Sequence, residues 1–104
     1  MRCITILYPS KDNEGFDFEF YKARHAPLIK DIMGDACHKI ELRRGTDIQT
    51  GVPPQYIATI TIWVSDWAKY EERIAKRQQE LLDEVPMFTK AMPQVQIDEI
   101  VLEL

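Results

Sequence analysis

His25 stands on the apolar face that residue spacing assigns to a helix, two residues before Pro27. Imidazole titrates near neutral pH, so an inward-facing ring beside a cavity is a candidate general acid or base. Pro27 adds a mechanical argument. A proline inside a helix cannot donate to the carbonyl four residues back, so the Ala23 carbonyl is freed and the helix bends. A bend there can aim the ring into a pocket. The plainer alternative is a packed histidine bonded to a carbonyl, the freed one included. Tyr21 lies one helical turn earlier, within reach of the same pocket. Its phenol can orient a carbonyl or assist proton transfer, or the ring can simply pack in the core. Tyr8 and Tyr56, near strand ends, are weaker candidates of the same kind. Trp63 can wall a site for an aromatic ligand, or serve core or dimer packing.

Arg77 is the more unusual residue. Counted along a second helix, it falls on the apolar stripe of Trp67, Tyr70, Ile74 and Leu81. A guanidinium there must snorkel, pair with an acid, or face a pocket, and the last would suit an anionic or carbonyl-bearing ligand. His38 is expected to be structural or to lie at a dimer face. Two histidines without a carboxylate cluster at ligand spacing argue against a metal site, and Cys3 and Cys37 form no CxxC. There is no glycine-rich phosphate loop and no nucleotide fingerprint, so no cofactor is expected.

The elements that must position these residues can be read from pattern. Arg2–Tyr8 is a β-branched strand stopped by Pro9, and Ser10–Gly15 is a polar loop. Asp17 caps a helix whose buried face carries Phe18, Tyr21, His25, Leu28, Ile29 and Ile32, with Gly34 as its stop. Cys37–Arg44 is a second strand, with His38, Ile40 and Leu42 facing one way. A loop through Thr46–Pro54 leads to the strand Tyr56–Val64, apolar on both faces: Ala58, Ile60 and Ile62 on one, Ile57 and Trp63 with Thr59 and Thr61 on the other. Ser65 or Asp66 caps the second helix, which runs to about Val85 and is ended by Pro86. After a Met87–Pro93 connector, Val95–Leu102 is a last strand.

The order β-α-β-β-α-β predicts an α+β, ferredoxin-like fold: a four-stranded antiparallel sheet with two helices on one face, in one domain spanning residues 1–104. Two helices cover one sheet face only, yet the strand Tyr56–Val64 calls for cover on both. A second copy packed face to face, giving a homodimer and commonly a dimeric α+β barrel, is the expected solution.

Composition sets outer bounds. Apolar content of 45% and charged content of 29% are those of a globular protein. A net charge of -4, with basic residues interleaved with acids, gives no reason to expect a nucleic-acid partner. No stretch approaches the roughly 20 apolar residues of a membrane span. Met1-Arg2-Cys3 runs into a strand pattern without a signal-peptide layout, so a cytoplasmic location and two free thiols are expected.

The segment from Phe16 to Leu28 resembles the signature F-D-x-x-Y-Y-x-x-H-x-P-L of the EthD family, named for ethyl tert-butyl ether degradation, with Phe20 in place of the first tyrosine. Five further matches follow in register: Met33-Gly34-Asp35-Ala36-Cys37, Arg44-Gly45, Pro53-Pro54-Gln55-Tyr56, the connector Val85-Pro86-Met87-Phe88-Thr89, and Gln94-Val95-Gln96-Ile97. The resemblance implies the ferredoxin-like fold, dimerisation and a cavity between helices and sheet. It implies no single reaction, since similar proteins are associated with aromatic polyketide processing and pigment biosynthesis, and related barrels include cofactor-independent monooxygenases and lactone isomerases. Family members often carry histidine where Arg77 stands and tyrosine where Phe88 stands.

The expectation is a protein binding a small hydrophobic, aromatic or carbonyl-bearing metabolite. His25 and Tyr21 would be catalytic, with Arg77, Tyr56, Trp63 and Tyr8 contacting the ligand, in a cofactor-independent proton transfer, isomerisation or oxygenation. The alternative is a non-catalytic binding or accessory protein.

Overall fold

The computed structural model describes residues 1–10 and 15–104, so part of the Ser10–Gly15 loop lies outside the described residues. Strand β1 (Arg2–Pro9) is followed by a helical rod made of α1 (Phe18–Phe20), a π-helical turn (Tyr21–His25) and α2 (Ala26–Met33). Strands β2 (Cys37–Arg44) and β3 (Tyr56–Val64), helix α3 (Trp67–Phe88) and strand β4 (Gln94–Glu99) complete the chain. The sheet is antiparallel throughout, in the order β2-β3-β1-β4. The helical rod and α3 lie in one layer on one face of it, which is the ferredoxin-like arrangement.

Register explains the core. Ile4 pairs with Ile62 and Ile97, and Ile62 pairs in turn with Ile40. One row below, Ile6 joins Ile60 and Val95, and Ile60 joins Leu42. Strand pleating sends these rows toward the helices, where Ile4, Ile60, Ile62 and Val64 meet Tyr21, Ile29, Met33 and Phe88 in the buried cluster. The opposite face carries Cys3, Thr5, Leu7, Thr59, Thr61 and Trp63, interleaved with Lys39, Glu41, Arg43 and Asp98.

Local signals account for the helix starts. The Asp17 carboxylate accepts from the Phe20 N–H at 2.9 Å, and Asp66, rather than Ser65, accepts from the Lys69 N–H at 3.1 Å. Gly34 ends the first rod at φ 55, a conformation that a Cβ disfavours. The bend expected from Pro27 takes the form of the π turn. The Ala26 N–H reaches back to the Tyr21 carbonyl, and Pro27, which has no N–H to offer, sits in the first turn of α2.

Two element ends and one strand register differ most from the sequence reading. Helix α3 passes through Pro86 to Phe88, because its last turn is held from outside. The Thr89 N–H bonds the Val85 carbonyl, the Phe88 carbonyl accepts from the Asp17 N–H, and the Phe88 ring is buried among Tyr8, Phe16 and Tyr21. Strand β4 ends at Glu99 rather than Leu102, where its partner β1 also runs out. In β2 a register shift between Cys37 and Lys39 takes His38 out of the ladder, so it is exposed and lies with Trp63 rather than with Ile40 and Leu42. Cys3 and Cys37 are free thiols. Among the described residues no helix is long and apolar enough to cross a membrane.

Candidate functional site

The π turn places Tyr21 and His25 at its first and last positions, both directed into the interior. Tyr21 is 1% exposed and His25 6%, with ring centroids 5.0 Å apart. Phe88 backs both rings, at 5.0 Å from Tyr21 and 4.8 Å from His25. Tyr8 enters from the end of β1 beneath them and packs edge-on against Phe88.

These groups border a cavity of about 270 Å³ between α3, the π turn and the sheet. Its polar lining comes from Tyr8, Tyr21, His25, Tyr70 and Gln78; the rest is aliphatic, with Ile6, Ile62, Ile74 and Leu81 as representatives. The size lies near the lower end of small-molecule pockets, which span roughly 300–1,000 Å³. A more open groove of about 430 Å³ lies on the other side of Tyr21, against Ile40 and Leu42. It is flanked by Lys22 and Lys30, and its lining among the described residues includes no histidine or carboxylate.

The partner of His25 is Glu84, whose Oε1 lies 2.9 Å from His25 Nδ1. A carboxylate offers only acceptors, so Nδ1 donates and the lone pair falls to Nε2. Nε2 and the hydroxyls of Tyr8 and Tyr21 have no hydrogen-bond partner among the described residues. None of the side-chain nitrogens and oxygens there is both sealed and unsatisfied. The free polar atoms of the three side chains are therefore not sealed, and all three side chains line the cavity.

Burial lowers the His25 pKa below its ordinary value, and the Glu84 hydrogen bond and charge only partly oppose that shift. Burial also pushes the Tyr8 phenol up to about 12. It raises the Tyr21 phenol as well, with the neighbouring Tyr8 adding to the shift. At neutral pH the site presents a neutral imidazole held by a carboxylate, facing two protonated phenols. That set can remove a proton at Nε2 and donate hydrogen bonds to an oxygen.

Of the six candidates, the structure brings His25, Tyr21 and Tyr8 together. Arg77 does not join them. Its backbone leaves the helical region at φ -130 and ψ 15, and its guanidinium turns outward to Asp31 at 3.0 Å and Glu80 at 2.7 Å. Trp63 lies on the opposite sheet face with Lys39 Nζ 4.8 Å from its ring centroid. Tyr56 donates to Gln94 Oε1 at 3.2 Å, outside the cavity. Glu84 escaped the sequence reading, although a signal for it existed. The steps of three and four that link residues 67, 70, 74, 77 and 81 continue to 84 and 88, the carboxylate and the buried Phe88.

No family model matches the chain, and no curated protein matches it. Solved structures do. The chain is similar to an EthD-like protein from Ralstonia eutropha JMP134, with a TM-score of 0.90 and 25% identity over 99% of this chain and 94% of that one. Its fold is that of EthD-like proteins. An ethyl tert-butyl ether degradation (EthD) family protein from Bacillus halodurans C-125 shares the fold at a TM-score of 0.69 and 16% identity, covering 97% of this chain and 99% of that one. A putative antibiotic biosynthesis monooxygenase from Bordetella bronchiseptica matches at 0.56 and 23%, over 97% and 96% of the two chains. The chain thus shares its architecture with proteins differently named, and its own site residues must carry any statement about chemistry.

Proposed function

We propose that this EthD-like chain works as a cytoplasmic homodimer that binds a small hydrophobic, aromatic or carbonyl-bearing metabolite in the His25 cavity and moves a proton on it without a cofactor. The observation that carries the reading is the contact of 2.9 Å between buried His25 and Glu84, which leaves Nε2 as the basic nitrogen of a largely aliphatic cavity. In the proposed step His25 removes a proton beside a carbonyl or from a phenol, while Tyr21 and Tyr8 donate to the oxygen that gains charge. Isomerisation and oxygenation both begin from such an anion, so the proton step is common to each.

A binding or accessory role is the second reading, favoured by the aliphatic majority of the lining. Deuterium exchange at the acidic position of an aryl ketone, followed by NMR, separates the two. Turnover with wild type that is lost in His25→Ala and reduced in Tyr21→Phe supports catalysis. Saturable binding with exchange no faster than in buffer supports the carrier.

A further inference from the structure

The charge inventory of the cavity is one-sided. No lysine or arginine lines it among the described residues, and Arg77, on the neighbouring helix surface, is engaged by Asp31 and Glu80. Its hydrogen-bonding groups are two phenols, a third at Tyr70, one imidazole, and the Gln78 amide at the exposed rim. The formal charge nearest to the His25 ring belongs to Glu84, directly behind it. An anionic ligand entering here would lose its water, meet no cation, and approach a carboxylate through the ring that the carboxylate holds. A neutral ligand would lose far less and could use the donors.

We propose that the cavity selects uncharged carbonyl ligands, of the aryl-ketone or hydroxyaryl-ketone class, over carboxylates of the same shape, and that Glu84 sets this selectivity while positioning His25. This rests on the cavity being the binding site, and it narrows the ligand class further. His25 is itself neutral because burial lowers its pKa, so the imidazole supplies no compensating positive charge at neutral pH. The charged and titratable groups packed around the ring are Glu84 from α3, Tyr21 from the π turn and Tyr8 from β1. None of them is a cation. Glu84 is a positioning residue here, since it touches His25 and does not line the cavity.

The probes are a hydroxyacetonaphthone and the matching hydroxynaphthoate, which differ only in a methyl ketone against a carboxylate. Calorimetric titration of the full chain at neutral pH is expected to show the ketone binding about tenfold or more tighter, the scale of a like-charge approach in a desolvated site. Glu84→Gln should narrow that gap by tightening the carboxylate. Gln78→Arg, at the exposed rim where folding is tolerant, should reverse the preference. Nitrogen-detected NMR should find the His25 proton on Nδ1 in wild type and a mixture of tautomers in Glu84→Gln. Equal or tighter binding of the carboxylate by wild type overturns the selectivity and leaves the cavity reading standing. An unchanged gap in Glu84→Gln, or a wild-type proton on Nε2, overturns the role of Glu84, and an unchanged gap in Gln78→Arg overturns the selectivity. If neither probe binds, both readings fall together.

Discussion

Burial and a carboxylate partner pull the His25 pKa in opposite directions, and burial prevails. The sign of the pH dependence follows. A base with a lowered pKa stays deprotonated further into acid, so the proton-transfer rate should hold level through neutrality and fall only below pH ~6.5, the ordinary histidine value. Glu84→Gln removes both contributions that raise the pKa, so its acid limb should lie lower still while the plateau falls; rate against pH for the two proteins checks this. The basic limb belongs to phenols pushed upward by burial, Tyr8 to about 12, and should lie outside the working range. Stability carries the same sign. The unfolded chain takes up the histidine proton first as pH falls, so the His25 contribution is complete above pH ~6.5 and is lost as pH drops toward the folded value. Urea unfolding at neutral and mildly acidic pH should show a steeper loss in wild type than in His25→Phe. His25 and Tyr21 were legible in the sequence because both sit on one apolar helical face, whereas Tyr8 stood out only as a tyrosine near a strand end. Glu84 was not, because Leu81 can be continued by either Glu84 or Val85, and only the opposing helix, far away in sequence, decides between them.

At the scale of elements, local chemistry was read well and long-range support was not. The strands Cys37–Arg44 and Tyr56–Val64 and the Asp17 cap follow from neighbouring residues alone, and all were visible in the sequence. The passage of α3 through Pro86 depends on Asp17 and on the Phe88 ring packing, partners that a local reading does not weigh. The same holds for Arg77, whose spacing places it on a stripe but whose backbone turns it toward α2. There it joins Arg73, which binds the Met33 carbonyl and Asp35, in lacing the two helices together. Arg77→Ala should therefore leave ligand binding unchanged in calorimetric titration and move the urea unfolding midpoint only slightly, as the loss of exposed ion pairs does. Weakened binding would return Arg77 to the site. Gly45 is the opposite case. A Cβ at this position meets the Tyr56 carbonyl and comes within 2.9 Å of the Pro54 ring, where β2 leaves the sheet beside the entry to β3. Gly45→Ala should cost roughly 1–3 kcal/mol, the usual range for forced overpacking. An unfolding midpoint equal to wild type would show that the turn can open freely.

The whole molecule has the proportions of an incomplete stack. Its radius of gyration is 14.4 Å, against about 13 Å for a compact chain near this length, and its shortest dimension is 20 Å. That thickness is one helix layer on one sheet, at about 10 Å each, and no helix among the described residues covers the second sheet face. On that face Cys3, Leu7, Thr61 and Trp63 form an apolar and hydroxyl-bearing centre. Lys39 packs over Trp63, and Arg43 bonds Glu41 and Thr61 at its margin. A greasy centre with mixed charges around it suits a two-fold interface, where each positive group can meet the negative group of the other copy. The expected outcome is a homodimer in light scattering. The double variant Leu7→Glu with Trp63→Glu should run as a monomer, because four carboxylates would face one another across the axis. Both substitutions lie on the far side of the sheet from His25, so the helical circular dichroism should survive. Ligand binding in the monomer should persist within a few-fold if the cavity is complete in one chain. Wild type that is monomeric at high concentration would leave the open face of β3 without the partner its composition calls for.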